Sequence, residues 1–171
     1  MAALIPNEPG NNNIFTPDYL SDLIVNHFDI SGSILESCKG GGAFVRSLNK
    51  KGLECDWCEI SEGKDFLEEK KKYDFIITNP PWGKPFFLQF LKHSLEIADN
   101  VIFLSLINAF FQNARLSLLE KNGFRIKEIL YIPKNLCPTT REHGWPSLGM
   151  SLGATHIQRN YAGDIAFSIL R

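Results

Sequence analysis

The sequence predicts an α/β protein whose strands form a doubly wound, mostly parallel seven-stranded sheet with a C-terminal antiparallel hairpin. Apolar segments of strand length alternate with segments whose apolar residues recur at helical spacing, which is typical of parallel sheets covered by helices. The segment 73–78 is almost continuously apolar, as expected of a strand buried on both faces. We expect one domain over residues 14–171, preceded by a flexible polar arm at residues 1–13.

The predicted elements follow one another at short intervals. The first helix is expected to have Thr16 as its N-cap and Pro17 at its first helical position, where the missing N–H group costs nothing. Strands are expected at 33–37, 53–60, 73–78, 101–106, 125–132, 149–158 and 163–170, and further helices at 43–52, 86–98 and 113–122. The last two strands flank a short turn at 160–162 and are expected to pair as a hairpin.

Composition and charge exclude several classes of protein. Hydrophobic residues make up 44% of the chain and charged residues 22%, as in an ordinary globular domain. No apolar run approaches the roughly 20 residues that a membrane-spanning helix needs, so we expect no membrane contact and a cytoplasmic location. The formal net charge of −1 gives no general affinity for nucleic acid, and any such binding requires a local patch.

The four cysteines are interpreted as reduced thiols. Cys55 and Cys58 have the spacing of a metal-binding or redox pair, but no second pair follows them. Residues three apart in a strand also point to opposite faces. Because no histidines and carboxylates are grouped at ligand spacing either, no metal is expected.

A glycine-rich turn joins the first predicted strand to the second predicted helix. The glycines at 40–42 let the backbone take positive φ and let a ligand approach closely. A phosphate-binding loop would need Lys-Ser or Lys-Thr after the last glycine, and a dinucleotide turn would need glycine in place of Val45. Glu36 would repel a phosphate but would accept a hydrogen bond from an ammonium group. The turn therefore predicts a ligand with an amino-acid end, and Glu59, which closes the next strand, is placed to bind ribose hydroxyls.

The segment Asn79-Pro80-Pro81-Trp82 follows the buried strand 73–78 and contains the predicted catalytic residues. Its two prolines fix two φ angles and remove two N–H donors. The side-chain oxygen of Asn79 and a prolyl carbonyl can then accept both hydrogens of an –NH2 group, which would direct the nitrogen lone pair toward an incoming methyl group. Trp82 offers a flat surface on which a planar base can stack.

Together these motifs resemble, in order and over most of the chain, the amino-methyltransferases of DNA, in particular the N6-adenine methyltransferases within the Rossmann-like class I S-adenosylmethionine-dependent fold. The segment 79–82 is similar to the catalytic Asp/Asn/Ser-Pro-Pro-Tyr/Phe/Trp motif and is the most specific of the set. The resemblance implies S-adenosyl-L-methionine as the cofactor. It also implies cofactor contacts from Phe15, Thr16, Pro17, Glu36, Ser37, Cys38, Gly40, Gly42, Phe44, Glu59, Asp65 and Phe66.

Each segment has a role within this resemblance. Residues 15–17 are similar to the motif at the methionine end of the cofactor, and residues 36–44 to an Asp-Pro-x-x-Gly-x-Gly turn. Glu59 matches the ribose-binding acid, and residues 65–66 match the acid and apolar pair around the adenine. The turn departs from the pattern because Glu36-Ser37 replaces Asp-Pro, which keeps the charge but lengthens its reach.

The size of the chain is a second departure, because it leaves little room for the domain with which such enzymes read a DNA sequence. The best candidate for substrate contact is therefore the loop 133–147, which carries Lys134, Arg141, His143 and Trp145. The expected partner is nucleic acid, in the first place DNA. A homodimer, or a partner that supplies target recognition, is compatible with the short chain.

The predicted reaction is methyl transfer to N6 of a DNA adenine that is flipped out of the duplex, stacked on Trp82 and held by Asn79 and the Pro80 carbonyl. N4 of cytosine, an RNA base and the side-chain amide of a protein glutamine stay open as acceptors, because each presents the same kind of amino group. An alternative from another class is a non-catalytic subunit with a cofactor fold that binds nucleic acid or a partner protein.

Overall fold

The structure is a computed structural model that describes residues 14–138 and 151–171. The predicted arm, residues 1–13, and three of the predicted substrate-loop residues, Arg141, His143 and Trp145, lie outside the described residues. Within the described ranges, no helix is both long and apolar enough to cross a membrane.

The described elements correspond to the predicted helices and strands, with shifted ends, except that the strand predicted at 53–60 is reduced to two residues and Glu59 caps a 3-10 turn instead of closing it. The helices are α1 (Asp18–His27), α2 (Ala43–Lys50), α3 (Phe86–Ile97) and α4 (Asn113–Lys121). The strands are β1 (Ile34–Glu36), β2 (Asp56–Trp57), β3 (Tyr73–Thr78), β4 (Ala98–Leu106), β5 (Phe124–Ile132), β6 (Leu152–Arg159) and β7 (Ala166–Ile169). Short 3-10 turns lie at 60–62, 66–68 and 107–109.

The start of α1 differs from the prediction by one residue. Pro17 rather than Thr16 is the N-cap, with φ −67° and no side-chain capping hydrogen bond. The prediction of Thr16 as N-cap is therefore wrong. The fixed φ of proline and the acidic Asp18 in the first turn are the local features that favour a helix start here.

The seven strands form one sheet in the order β2-β1-β3-β4-β6-β5-β7. β1 pairs in parallel with β2 on one side and with β3 on the other, and β3 pairs in parallel with β4. The chain thus winds outward in both directions from the β1–β3 pair, which is the topological switch point of a doubly wound sheet. This confirms the predicted α/β class and the mostly parallel seven-stranded sheet.

The antiparallel hairpin of the C-terminal part joins β5 and β6, and β6 is also antiparallel to β4 on its other side. The expected pairing of the last two strands with each other is wrong, because β7 pairs in parallel with β5. Burial explains this arrangement. Residues 152–157 of β6 are all buried, as a central strand requires, whereas β7 is largely exposed, as an edge strand is.

Helices cover both faces of the sheet. Side chains of α1 and α2 pack with one face of the central strands, and side chains of α3 and α4 pack with the other. Consecutive residues of β3 illustrate this, since Ile76 and Ile77 are both fully buried yet belong to opposite core clusters. The carboxyl ends of β1 and β3 are therefore held from both sides.

Gly153 provides a test of this packing. A Cβ atom added to Gly153 would lie 2.7 Å from Ile107 Cγ1 and 2.9 Å from the Leu130 carbonyl oxygen. We expect Gly153→Ala to lower the free energy of unfolding by about 1–3 kcal/mol, because the backbone of a central strand cannot move away. Urea denaturation measures the change. Gly83→Ala is the control, since its added Cβ meets nothing within 4 Å, and equal effects of both variants would contradict the packing.

Candidate functional site

The predicted site residues converge on the switch point between β1 and β3. The register pairs Leu35 with Ile76, so Ser37 lies level with Thr78 where the two strands end. The glycine turn follows β1 and the segment 79–82 follows β3, which places both motifs at the same edge of the sheet. This is the position at which doubly wound sheets bind ligands.

The glycine turn adopts the backbone conformation that its sequence predicts. Gly40 has φ +49° and Gly42 has φ +78°, a left-handed region that other residues rarely enter. Gly42 is also the N-cap of α2, and its amide donates to the Lys39 carbonyl at 2.7 Å. Gly40 has a second constraint, because an added Cβ would lie 2.9 Å from the ring of Phe15.

The segment 14–15 bridges the two motifs. Phe15 packs on the glycine turn, while the Ile14 carbonyl accepts a hydrogen bond from Asn79 Nδ2 at 3.1 Å. Since a carbonyl can only accept, this bond fixes the orientation of the Asn79 amide. Asn79 Oδ1 is therefore left as an acceptor, and it is buried with no hydrogen-bond partner within the described residues.

Asn79 Oδ1 is one of three such atoms at this point of the fold. Ser37 Oγ and Thr78 Oγ1 are likewise buried without a hydrogen bond of ordinary geometry to the described residues. Buried polar side chains are normally hydrogen-bonded. Unpartnered polar atoms at the ends of two adjacent strands are therefore the property expected of a site whose ligand completes the hydrogen bonding.

Glu36 closes β1 and is only 1% exposed. Its Oε1 accepts a hydrogen bond from the Cys38 amide at 3.0 Å. Burial raises the pKa of Glu36 to about 8; the charge of Glu59 acts in the same direction, and the Cys38 amide and the nearby Thr78 hydroxyl oppose the rise. The carboxyl consequently holds its proton at neutral pH until a cation comes to lie beside it.

Glu59 supports the glycine turn as well as facing the site. Its Oε2 accepts from the Gly40 amide at 2.8 Å, and its Oε1 accepts from the Ser61 amide and hydroxyl at 3.2 and 2.8 Å. Burial alone would raise the pKa of Glu59, but these hydrogen bonds and the charge of Lys39 hold it below its ordinary value. A carboxylate has about four acceptor positions, so room remains for a further donor such as a ribose hydroxyl.

Asp65 lies near Glu59, because the preceding residue, Lys64, is paired with Glu59 in an antiparallel bridge. The carboxylate of Asp65 caps the following 3-10 turn at 66–68. Two aromatic residues of the predicted cofactor set lie in the core instead. Phe44 is 3% exposed and Phe66 is 2% exposed, so neither ring presents a surface to a cofactor in this structure, and their predicted cofactor contacts stay predictions.

The segment 79–82, which contains the predicted catalytic residues, is anchored to the sheet. Pro80 is buried, and Pro81 and Trp82 are half-buried. The indole N–H of Trp82 donates to the Leu104 carbonyl of β4 at 3.2 Å, and the ring packs against the core. The orientation of this ring is thus set by β4, and its role as a stacking surface stays a prediction.

The remaining predicted residues lie close by. Thr16 and Pro17 are half-buried and directly follow Phe15 at the start of α1. Cys38 begins the glycine turn, and burial raises the pKa of its thiol to about 12.

All four cysteines are free in the structure. Burial raises the pKa of Cys55 and of Cys58 to about 11, so both thiols stay protonated and unreactive at neutral pH. In the described parts of the chain no three side chains of histidine, cysteine, aspartate or glutamate are grouped as metal ligands.

The structure adds residues that the sequence analysis did not single out. Ile60, directly after Glu59, exposes 45% of its surface, and Phe111, on the segment that follows β4, exposes 48%. Arg115 lies with its guanidinium 4.6 Å from the ring centre of Phe87 and forms no ion pair with a described carboxylate. Burial lowers the pKa of Arg115. The sequence offers one signal for Ile60, namely an apolar residue directly after the acidic Glu59. It offers none for Phe111 and Arg115, because the segment 107–115 matches no motif.

A cleft of about 500 Å³ lies along the outer edge of β2. Trp57, Lys64 and Tyr73 are among its lining residues, and Asp65 is the only predicted cofactor residue that lines it. The cleft is thus a different place from the switch point, where the motifs and the unpartnered polar atoms lie.

Neither a known protein family nor any curated protein matches the sequence. Solved structures do match the fold. A protein of Listeria monocytogenes assigned as a class I S-adenosylmethionine-dependent methyltransferase aligns with a TM-score of 0.60 at 9% identity, over 89% of this chain and 63% of its own. Magnesium protoporphyrin IX methyltransferase from Synechocystis, solved with bound S-adenosylmethionine, aligns with a TM-score of 0.58 at 13% identity, over 83% of this chain and 79% of its own.

A protein of Pyrococcus horikoshii assigned as an RNA methyltransferase aligns with a TM-score of 0.54 at 12% identity, over 84% of this chain and 81% of its own. At sequence identities this low, the structural similarity establishes the fold alone. The chain therefore has the Rossmann-like fold of class I S-adenosylmethionine-dependent methyltransferases, as predicted. It spans 63% of the length of the Listeria protein.

The buried Glu36 makes the stability of the fold depend on pH. Its pKa is about 8 in the folded state against an ordinary value of 4.5, so the stability it contributes is complete below pH 4.5 and is lost as the pH rises through 8. Glu36→Gln has no proton to lose. We expect this variant to melt at a higher temperature than the wild type at pH 8.5, with a much smaller difference at pH 5.

Thermal unfolding followed by circular dichroism at both pH values measures this effect. Glu54→Gln, at an exposed position, is the matched control and should change little at either pH. The same difference in melting temperature for Glu36→Gln at both pH values would contradict the assigned protonation.

Proposed function

We propose that the chain is an S-adenosylmethionine-dependent methyltransferase that acts on an exocyclic amino group, namely N6 of adenine in DNA. The observation that carries this proposal is the buried, unpartnered Oδ1 of Asn79, whose orientation is fixed by the bond from Nδ2 to the Ile14 carbonyl. An acceptor held in this way next to a cofactor-type turn is suited to an N–H donor of the substrate.

The acceptor group consists of Asn79 Oδ1 and the Pro80 carbonyl. The carbonyl of Pro80 accepts no backbone hydrogen bond from the described residues, so both oxygens are available. Two acceptors can bind the two hydrogens of one –NH2 group and so fix its orientation, which leaves the nitrogen lone pair for the incoming methyl group. Neither oxygen takes up a proton, and the proton that the methylated nitrogen loses therefore leaves to solvent.

The cofactor supplies an electrophilic methyl group on a sulfonium. The chain offers its binding groups at the switch point. Glu36 is buried and is suited to an ammonium group, and Glu59 has an acceptor position left for a ribose hydroxyl. Ile60 exposes an apolar side chain directly after Glu59, where it can pack on an adenine ring.

The side chains around the acceptor group favour a nucleotide over a protein substrate. Arg115 lies close to the end of the segment 79–82, because it lies over Phe87, whose amide donates to the Gly83 carbonyl. Its guanidinium donates to the Ala109 carbonyl but forms no ion pair with a described carboxylate. Such a guanidinium is suited to a backbone phosphate. Phe111 exposes an aromatic ring on the same segment as Arg115, and exposed rings stack on unpaired bases.

The test of the proposal is incubation of the full chain with labelled S-adenosylmethionine and separate DNA, RNA and protein substrates, followed by mass spectrometry of the nucleosides. We expect N6-methyladenine in DNA. Label in cytosine, RNA or glutamine would keep methyl transfer but overturn the acceptor. Absence of both label and cofactor binding would favour the non-catalytic subunit.

Asn79→Ala should lower the rate of methyl transfer by about 100-fold or more, because one of the two acceptors for the amino group is lost. The dissociation constant of the cofactor, measured by calorimetry, should change little. Asn122→Ala removes an exposed amide at the C-cap of α4 that donates to the Leu118 carbonyl and is the matched control. Loss of cofactor affinity in Asn79→Ala with an unchanged rate at saturation would show that the two subsites are exchanged.

Cofactor affinity should rise between pH 6 and pH 8. With a pKa of about 8, Glu36 is protonated at pH 6 and must lose that proton to pair with an ammonium group, which costs up to about tenfold in affinity for each pH unit below 8. Above pH 8 the rise ends, because a free α-amino group loses its own proton at about that pH.

Calorimetry in buffers of different ionisation enthalpy measures the linked proton release. Glu36→Gln should bind more weakly than the wild type at pH 8 and should show no rise from pH 6 to 8. An unchanged pH profile in this variant would remove Glu36 from the ammonium site.

A further inference from the structure

The last strand of the sheet presents an apolar edge. β7 is terminal in the strand order, and Ile165, Phe167 and Ile169 expose 52%, 62% and 53% of their surface. These alternate residues lie on one face of the sheet. Edge strands of monomeric proteins usually carry charges or proline that prevent pairing, whereas residues 165–170 contain neither.

The same three residues also present the unpaired backbone of this edge. The Leu170 amide donates to the Tyr131 carbonyl of β5 at 2.9 Å. In a parallel ladder alternate residues bond to the neighbouring strand, so Ser168 and Leu170 face β5. The N–H and C=O groups of residues 165, 167 and 169 therefore point away from the sheet. Exposed apolar side chains and free hydrogen-bonding groups coincide, as a strand that accepts a partner requires.

We propose that β7 is the interface of a homodimer in which two copies of this chain pair antiparallel, with the two-fold axis at Phe167. A two-fold axis perpendicular to the sheet keeps the same face of both chains on one side, so odd-numbered residues must pair with odd-numbered ones. The register centred on Phe167 places Phe167 opposite its own copy and Ile165 opposite Ile169. All three apolar side chains then pack side by side with apolar side chains of the other chain.

Charge favours the antiparallel arrangement of two copies. Asp164 and Arg171, both exposed, stand at opposite ends of the apolar run, and neither forms an ion pair within the described residues. In the proposed register Asp164 lies opposite Leu170 of the second copy, so the acidic end of each strand meets the basic end of its partner at both ends of the interface. A parallel arrangement would bring like charges together instead.

The interface extends beyond the strand and leaves the candidate site open. The ring of Tyr131 stacks on Phe167, with ring centres 6.3 Å apart, and widens the apolar surface. Three strands, β4, β6 and β5, separate β7 from the β1–β3 switch point. The dimer and the proposed methyl transfer are therefore independent, and failure of one leaves the other unaffected.

Disulfide trapping tests the register directly. In a hydrogen-bonded antiparallel pair the Cα atoms lie about 5.5 Å apart, which a disulfide can span. Under mild oxidation Phe167→Cys should cross-link to its own copy. Ile165→Cys and Ile169→Cys should cross-link when mixed but not separately. The wild type, with its four native thiols, is the control, and cross-linking of Ile165→Cys with itself, or none in any variant, would overturn the register.

Sedimentation velocity over a concentration series tests the dimer without cross-links. We expect the wild type to shift from monomer to dimer mass as its concentration rises, and Phe167→Lys to remain a monomer. Leu88→Lys adds the same charge at another exposed apolar residue, on α3, and should behave as the wild type. Circular dichroism verifies that each variant is folded. A wild type that is monomeric at its highest soluble concentration, or a dimer that persists in Phe167→Lys, would overturn the proposal.

Discussion

The parallel pairing of β1 with β3 determines where the polar groups of the candidate site lie. Because Leu35 is level with Ile76, both strands end together, and the glycine turn and the segment 79–82 begin side by side. A register shift of one residue would exchange the two faces of a strand and move Thr78 away from Ser37. The helices packed on both faces of β3 make such a shift costly. The packing of the core thus fixes the relative positions of the polar groups in the candidate site.

The site is assembled from groups that the folded chain leaves unsatisfied. Glu36 is buried as a protonated acid, and three polar atoms near it have no ordinary hydrogen bond to the described residues. Each costs stability in the absence of a ligand. A ligand that provides an ammonium group and N–H donors would recover that free energy on binding. These residues therefore lower the stability of the ligand-free fold but are suited to binding a ligand.

The sequence was informative wherever the cause of the structure is local. Periodicity located the helices and strands, and the positive φ of Gly40 and Gly42 follows from residue type. The orientation of the Asn79 amide could not be predicted from the sequence, because it depends on a hydrogen bond to a carbonyl 65 residues away in the chain. Phe66 was predicted beside the cofactor but lies in the core. The sequence cannot separate these two cases, since an aromatic residue after an acid occurs in both. The pairing of β7 with β5 likewise depends on competition among distant strands, which no turn sequence reports.

The position of β6 has a consequence for how the chain acquires its fold. β6 is paired on one side with β4 and on the other with β5, although both of those strands precede it in the sequence. During synthesis β4 and β5 therefore emerge with facing edges unpaired, and the sheet closes only after residue 159 has left the ribosome. Until then two apolar strands present open edges to other chains. We expect the nascent chain to be most prone to aggregation in this interval, before the last central strand is inserted.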